Sequence, residues 1–174
     1  HPEYGPLKAQ LISKWQKEVN DLRVERIFKV EVNKHAHQMH VNYGSCSSNA
    51  RRRFHGTSCS TECNYFFDLE GAPYESPDSS VCCICIHGFK LEVAGTTAML
   101  SNISLRYGRG LYFSSVSGKA DDYAARSEKL INGRKWTGMF AATGAVGRAY
   151  LTQEGALPAK MCPPPGYDAV VGEV

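Results

Sequence analysis

The sequence predicts a mixed α+β fold, and three observations lead there. Apolar residues recur at steps of three and four from Leu7 to Leu22, and they alternate with charged ones from Phe28 to Val32. A helix-like stretch from Lys119 to about Ile131 then gives way to a strand-rich one from Trp136 to Leu151. With 174 residues the chain is one domain's worth of sequence, long enough to bury roughly 70% of its unfolded surface. A hydrophobic share of 43% and a charged share of 21% are globular, and 9 Tyr, 7 Phe and 2 Trp argue against intrinsic disorder. The net charge of +3 is too small to argue for nucleic acid by itself. The longest apolar run, Val81 to Ile86, is too short to cross a bilayer, so no membrane is expected. The opening His1-Pro2-Glu3, with no initiator Met, reads as a piece of something longer.

Taken in order, Leu7, Leu11, Ile12, Trp15, Val19 and Leu22 form the stripe of an amphipathic helix. Phe28, Val30 and Val32 form one face of a half-buried strand. Residues 1–50 are thus read as the N-terminal helix and first strand of the same domain. His35, His37 and His40 fit neither a helix face nor a strand face, which favours solvated histidines over a metal site. Arg51-Arg52-Arg53 could hold phosphate but is more often the solvated start of a strand. Gly71 to Ser80, rich in proline and serine, reads as a loop, and Cys82 to Val93 is either helical or extended. Tyr107 to Ser117 reads as a turn feeding a strand. The helix from Lys119 gains from Asp121 and Asp122 in its first turn. Gly144 and Gly147 break the later strand-rich stretch, and Pro163 to Tyr167 is a stiff loop.

Seven cysteines are an odd number, and five of them fall between Cys59 and Cys85. That favours a local clip over a molecule-wide disulfide net, and with it an intracellular home, nuclear or cytoplasmic. Cys59, Cys63, Cys82 and Cys85 could supply four thiolates to a structural zinc, with Cys83 and His87 as substitutes. The competing reading is buried thiols packed as small apolar residues.

Several catalytic templates find nothing to match. Gly108-Arg109-Gly110 lacks the third glycine of a dinucleotide fingerprint, and Gly118-Lys119-Ala120 lacks the hydroxyl residue of a Walker motif. Neither a Gly-x-Ser-x-Gly elbow nor a His-Glu-x-x-His pair is present. What stands out is an ordered set: His55-Gly56-Thr57, then Tyr107-Gly108-Arg109-Gly110-Leu111-Tyr112-Phe113-Ser114-Ser115, then Lys119-Ala120-Asp121-Asp122-Tyr123, then Pro163 to Glu173 with its Pro-Gly-Tyr-Asp core. From about Arg52 to Val174 this set resembles the catalytic domain of the poly(ADP-ribose) polymerase family of ADP-ribosyltransferases.

The resemblance implies mixed, mostly antiparallel sheets around an NAD cleft, and cleavage of NAD at its nicotinamide glycosidic bond. It implies that Tyr112 and Tyr123 sandwich the nicotinamide ring, which carries positive charge in NAD and is drawn to aromatic faces. Gly56, without a side chain, would let its backbone bond the carboxamide, with Thr57 completing the motif, while His55 would grip a ribose hydroxyl. His55 and Tyr112 are the implied catalytic pair. Two departures follow. Ala120 stands where many members carry a serine that bonds the carboxamide, a loss of about 1 kcal/mol if it behaves as one ordinary hydrogen bond. The family's catalytic glutamate lies on a strand beyond the Pro-Gly-Tyr-Asp loop, which this chain is expected to lack. Glu173 aligns with the loop itself, and Glu154 is a weaker candidate.

The expectation is transfer of a single ADP-ribose from NAD to a protein or nucleic-acid acceptor. Its rivals are a non-catalytic module that keeps the fold to bind a nucleotide or macromolecule, and a secreted disulfide-rich protein.

Overall fold

The Asn132-Gly133 pair sets the plainest piece of architecture. Both residues take left-handed backbone angles, φ 51° and 73°, the pairing a tight two-residue hairpin turn requires. Around it β2 (Lys129–Ile131) and β3 (Arg134–Trp136) pair antiparallel, with Ile131 opposite Arg134 and Lys129 opposite Trp136. The helix expected from Lys119 to Ile131 therefore stops earlier: α4 spans Ser117–Ala124. Asn-Gly is a poor helix continuation and a strong hairpin signal, and the hairpin prevails over the apolar periodicity before it.

The computed structural model describes residues 2–18, 22–32, 34–46, 49–59, 79–94, 105–124, 128–158 and 163–173. Two further helices open the chain, α1 (Tyr4–Ser13) and α2 (Lys34–Cys46). Strand β1 (Ala50–Gly56) follows, then α3 (Ser80–His87) and a short 3-10 turn over Leu91–Val93. After α4 and the hairpin come β4 (Met139–Ala145), β5 (Ala149–Thr152) and β6 (Ala169–Gly172). The class is α+β, in two-stranded sheets: β1 with β4, β2 with β3, and β5 with β6. The β5–β6 pair is parallel, with Ala149 opposite Ala169 and Thr152 opposite Gly172.

Several expectations shift against this frame. The first helix ends at Ser13, short of the expected Leu22, and the chain turns at Gln16, whose φ is +55°; Val19 of the expected stripe lies outside the described residues. No strand forms over Phe28–Val32, despite the alternation. The segment holding His35, His37 and His40 is helical, which puts His37 and His40 one turn apart on α2. Tyr107 to Ser117 yields a turn and one isolated antiparallel bridge, Phe54 to Ser114, in place of a strand. Strand β4 runs through Gly144, and the break falls at Gly147 (φ +65°). Of the loop expected from Gly71 to Ser80, residues 71–78 lie outside the described residues, and Ser80 opens α3.

The chain divides into two compact units, interleaved in sequence. Unit 1 comprises His1–Glu31, Arg52–Ile86 and Phe113–Ala142; unit 2 comprises Val32–Arg51, His87–Tyr112 and Thr143–Val174. The core of unit 1 is built on Phe54, Val81, Cys82, Ala120, Ala124 and Phe140. In unit 2 the parallel pair is fastened at its loop: Arg148 N–H donates to Asp168 Oδ2 and Asp168 N–H to the Arg148 carbonyl, both at 2.8 Å. Gly172 is pressed against the Tyr107 ring, whose hydroxyl donates to the Glu154 carbonyl at 3.0 Å. No helix among the described residues is long and apolar enough to cross a membrane.

Candidate functional site

In unit 1, β1 carries Phe54, His55 and Gly56 to one place. Phe54 is 1% exposed and exchanges two 2.8 Å backbone hydrogen bonds with Ser114. This pairing sets the chain direction on either side of it, with alternate side chains facing opposite ways. Phe54 enters the core, and His55 faces the rings of Phe113 and Phe140 at 5.4 and 6.5 Å between centroids. Sequence reasoning missed both phenylalanines as neighbours of His55, although Phe113 follows Tyr112 directly.

Gly56 meets helix α4 backbone to backbone. A Cβ there would overlap the Ala120 carbonyl oxygen and lie 2.7 Å from the Ala124 nitrogen. A glycine is therefore demanded at this position by helix packing alone, independently of any ligand. Ala120 and Ala124 are buried on the inner face of α4, at 3% and 0% exposure, while Tyr123 is 50% exposed on the same helix. His55, Gly56, Ala120 and the helix bearing Tyr123 are thus brought together, and Thr57 follows β1 half-buried.

The start of α4 is held by residues that no sequence motif marks. Ser117 is fully buried, and its hydroxyl donates to the Leu11 carbonyl at 2.6 Å, with its N–H donating to the Lys14 carbonyl at 3.0 Å. Lys17 Nζ bridges Asp121 Oδ2 at 2.9 Å and Asp122 Oδ1 at 2.6 Å. Burial pulls the Lys17 pKa down, but the hydrogen bonds and charges of the two carboxylates outweigh it, so the net shift is upward from 10.5.

Tyr112 belongs to unit 2. Its hydroxyl donates to the Gly108 carbonyl at 2.7 Å and accepts the Tyr107 N–H at 3.0 Å, closing the glycine-rich turn on itself, while its ring is 39% exposed. Glu154 and Glu173, also in unit 2, are exposed; the Glu173 N–H extends the β5–β6 ladder to the Thr152 carbonyl at 2.9 Å.

Among the cysteines, Cys82 is fully buried and disulfide-bonded, and Cys59, Cys83 and Cys85 carry thiols. Burial pushes the Cys59 thiol pKa up, against the Ser79 hydroxyl and the Lys129 charge; burial, then the neighbouring Cys59, raises Cys85. Cys63 lies outside the described residues. A sulfur in a disulfide is not a thiolate, so the four-cysteine zinc set requires Cys82 to be reduced first. The chain matches no known protein-family model and no curated protein.

Proposed function

We propose that the protein is an ADP-ribosyltransferase that takes NAD as substrate, releases nicotinamide and passes a single ADP-ribose to a protein or nucleic-acid acceptor. The observation that carries this reading is the seating of Gly56 on the backbone of α4, which puts two of the motifs behind the resemblance, His55-Gly56-Thr57 and Lys119 to Tyr123, side by side in one unit.

The chemistry follows from the residues. The exposed ring of Tyr123 offers a face on which the cationic nicotinamide stacks. The peptide groups flanking Gly56 bond the carboxamide, and the His55 imidazole, oriented by Phe113 and Phe140, bonds a ribose hydroxyl. The resemblance, not the geometry, assigns Tyr112 to the same clasp. Ala120 offers a buried methyl where a hydroxyl would add one more bond, so binding relies on the peptide groups and the rings. Departure of nicotinamide leaves an oxocarbenium-like centre, and a carboxylate beside it is the main electrostatic aid. The resemblance places that carboxylate on a strand after the Pro-Gly-Tyr-Asp loop.

Incubation of the protein with NAD labelled in the adenosine moiety tests the reading. Label on protein or nucleic acid, lost in Tyr123→Ala, is the expected result. Saturable NAD binding without transfer would make the protein a binding module, and absence of binding would end the proposal. A structural zinc on Cys59, Cys63, Cys82 and Cys85 is a separate proposal, tested by the metal content of protein purified under reducing conditions. A ratio near one zinc per chain supports it, and none contradicts it.

A further inference from the structure

The N-terminal segment of unit 1 does more than precede the proposed site. Helix α4 is only eight residues long, two turns, so whatever fixes its first turn fixes all of it. Its inner face is set by Gly56 against Ala120 and Ala124. The N-terminal segment sets the rest, since the Leu11 and Lys14 carbonyls take the Ser117 hydroxyl and N–H. The Trp15 carbonyl is seated on Gly118, where a Cβ would overlap its oxygen and lie 3.2 Å from Lys17 Cγ. The Lys17 stem thus runs along Gly118, and its ammonium closes on Asp121 and Asp122, 5.7 Å from the centroid of the Trp15 ring.

Gln16, between these two contacts, adopts φ +55°. A glutamine has no intrinsic preference for that left-handed region, and such strain persists only where neighbouring contacts over-determine it. Here the neighbours are the Trp15 carbonyl on Gly118 and the Lys17 ammonium on the two aspartates. Asp121 also takes the Thr137 hydroxyl at 3.4 Å through its other oxygen, so the ammonium is bonded to a carboxylate that is itself oriented.

We propose that Lys17 is a positioning residue for the NAD site: by bridging Asp121 and Asp122 it locks the N-terminal segment on α4 and fixes the helix that presents Tyr123. The inference rests on the function proposed above. Lys17 touches no substrate. It acts through α4, so its loss alters where the Tyr123 ring stands and leaves the ring itself intact. A partly exposed ion pair contributes little to overall stability, whereas small displacements of a substrate-positioning group weigh heavily on catalysis.

The test compares wild type, Lys17→Met and Lys17→Arg by KM and kcat for NAD, the Kd for benzamide as a nicotinamide mimic, and hydrogen exchange of the amides of residues 117–124. The expected result for Lys17→Met is a KM and a benzamide Kd raised about three- to tenfold, with kcat changed less and faster exchange in α4. Lys17→Arg, which keeps the charge and the donors, should return to within about twofold of wild type. A lower melting temperature in Lys17→Met with unchanged KM, Kd and exchange would show Lys17 to be structural only and overturn the proposal. Wild-type protein that binds neither NAD nor benzamide would overturn the proposed function and the positioning role together, whereas normal wild-type binding with an unaffected Lys17→Met overturns the positioning role alone.

Discussion

Helices α4 and α2 are opposites. Helix α4 has eight residues, of which Ser117, Gly118, Ala120 and Ala124 are buried. Helix α2 has thirteen, yet each described side chain on it is half-buried or exposed, Met39 at 60% and Val41 at 46% among them. The helix with the smaller residues is the better anchored. Anchorage here comes from close backbone approach and carbonyl acceptors rather than from apolar area, so sensitivity to substitution should run opposite to side-chain size.

Gly56→Ala is the strongest way to break the contrast. Its methyl would overlap the Ala120 carbonyl, and either β1 or α4 must move. A loss of about 3 kcal/mol or more is expected in urea unfolding. A loss below about 1 kcal/mol would mean that α4 yields easily and the close approach is not what anchors it. Ser117→Ala comes next, since it strands the Leu11 carbonyl that the hydroxyl bonds at 2.6 Å. It should cost about 1–2 kcal/mol by the same measurement.

Lys17 sharpens the contrast through pH. Its folded pKa is raised above 10.5, so its stabilising contribution is complete below that value and is lost as pH rises through the higher folded pKa. The stability difference between wild type and Lys17→Met should hold steady through neutral pH and vanish in strong alkali. Being partly exposed, the bridge is expected to contribute less than about 1 kcal/mol. A difference that grew with pH would have the wrong sign for this ion pair. The smallest effect belongs to α2: Met39→Ala should alter stability by no more than about 0.5 kcal/mol, and a larger loss would show that α2 is anchored after all.

The same contrast explains what could be read from the sequence. The α+β class was legible, although the alternating stretch Phe28–Val32 forms no strand and the strands lie elsewhere, β4 and most of β5 in the stretch from Trp136 to Leu151; Asp121 and Asp122, expected in the first turn of a helix, fall in the second turn of α4, which starts at Ser117. The β2–β3 hairpin was legible too, in Asn132-Gly133, although a helix was expected to run up to it. The stop of α1 was not, since no glycine or proline marks Gln16, and its left-handed turn answers to contacts about a hundred residues away in sequence. Within the site, His55-Gly56 stood out as a motif, whereas the reason Gly56 must be glycine lies on α4 and is invisible from β1. Ser117, Gly118 and Lys17 gave no signal, because a carbonyl acceptor leaves no mark on the identity of the residue that supplies it.

Titration calorimetry of the protein with benzamide asks whether β1 and α4 together form a nicotinamide site. Saturable binding at one site per chain, abolished in Tyr123→Ala while the variant keeps the wild-type melting temperature, is the expected result. Absence of binding heat from the folded wild-type protein, or undiminished affinity in Tyr123→Ala, would contradict it.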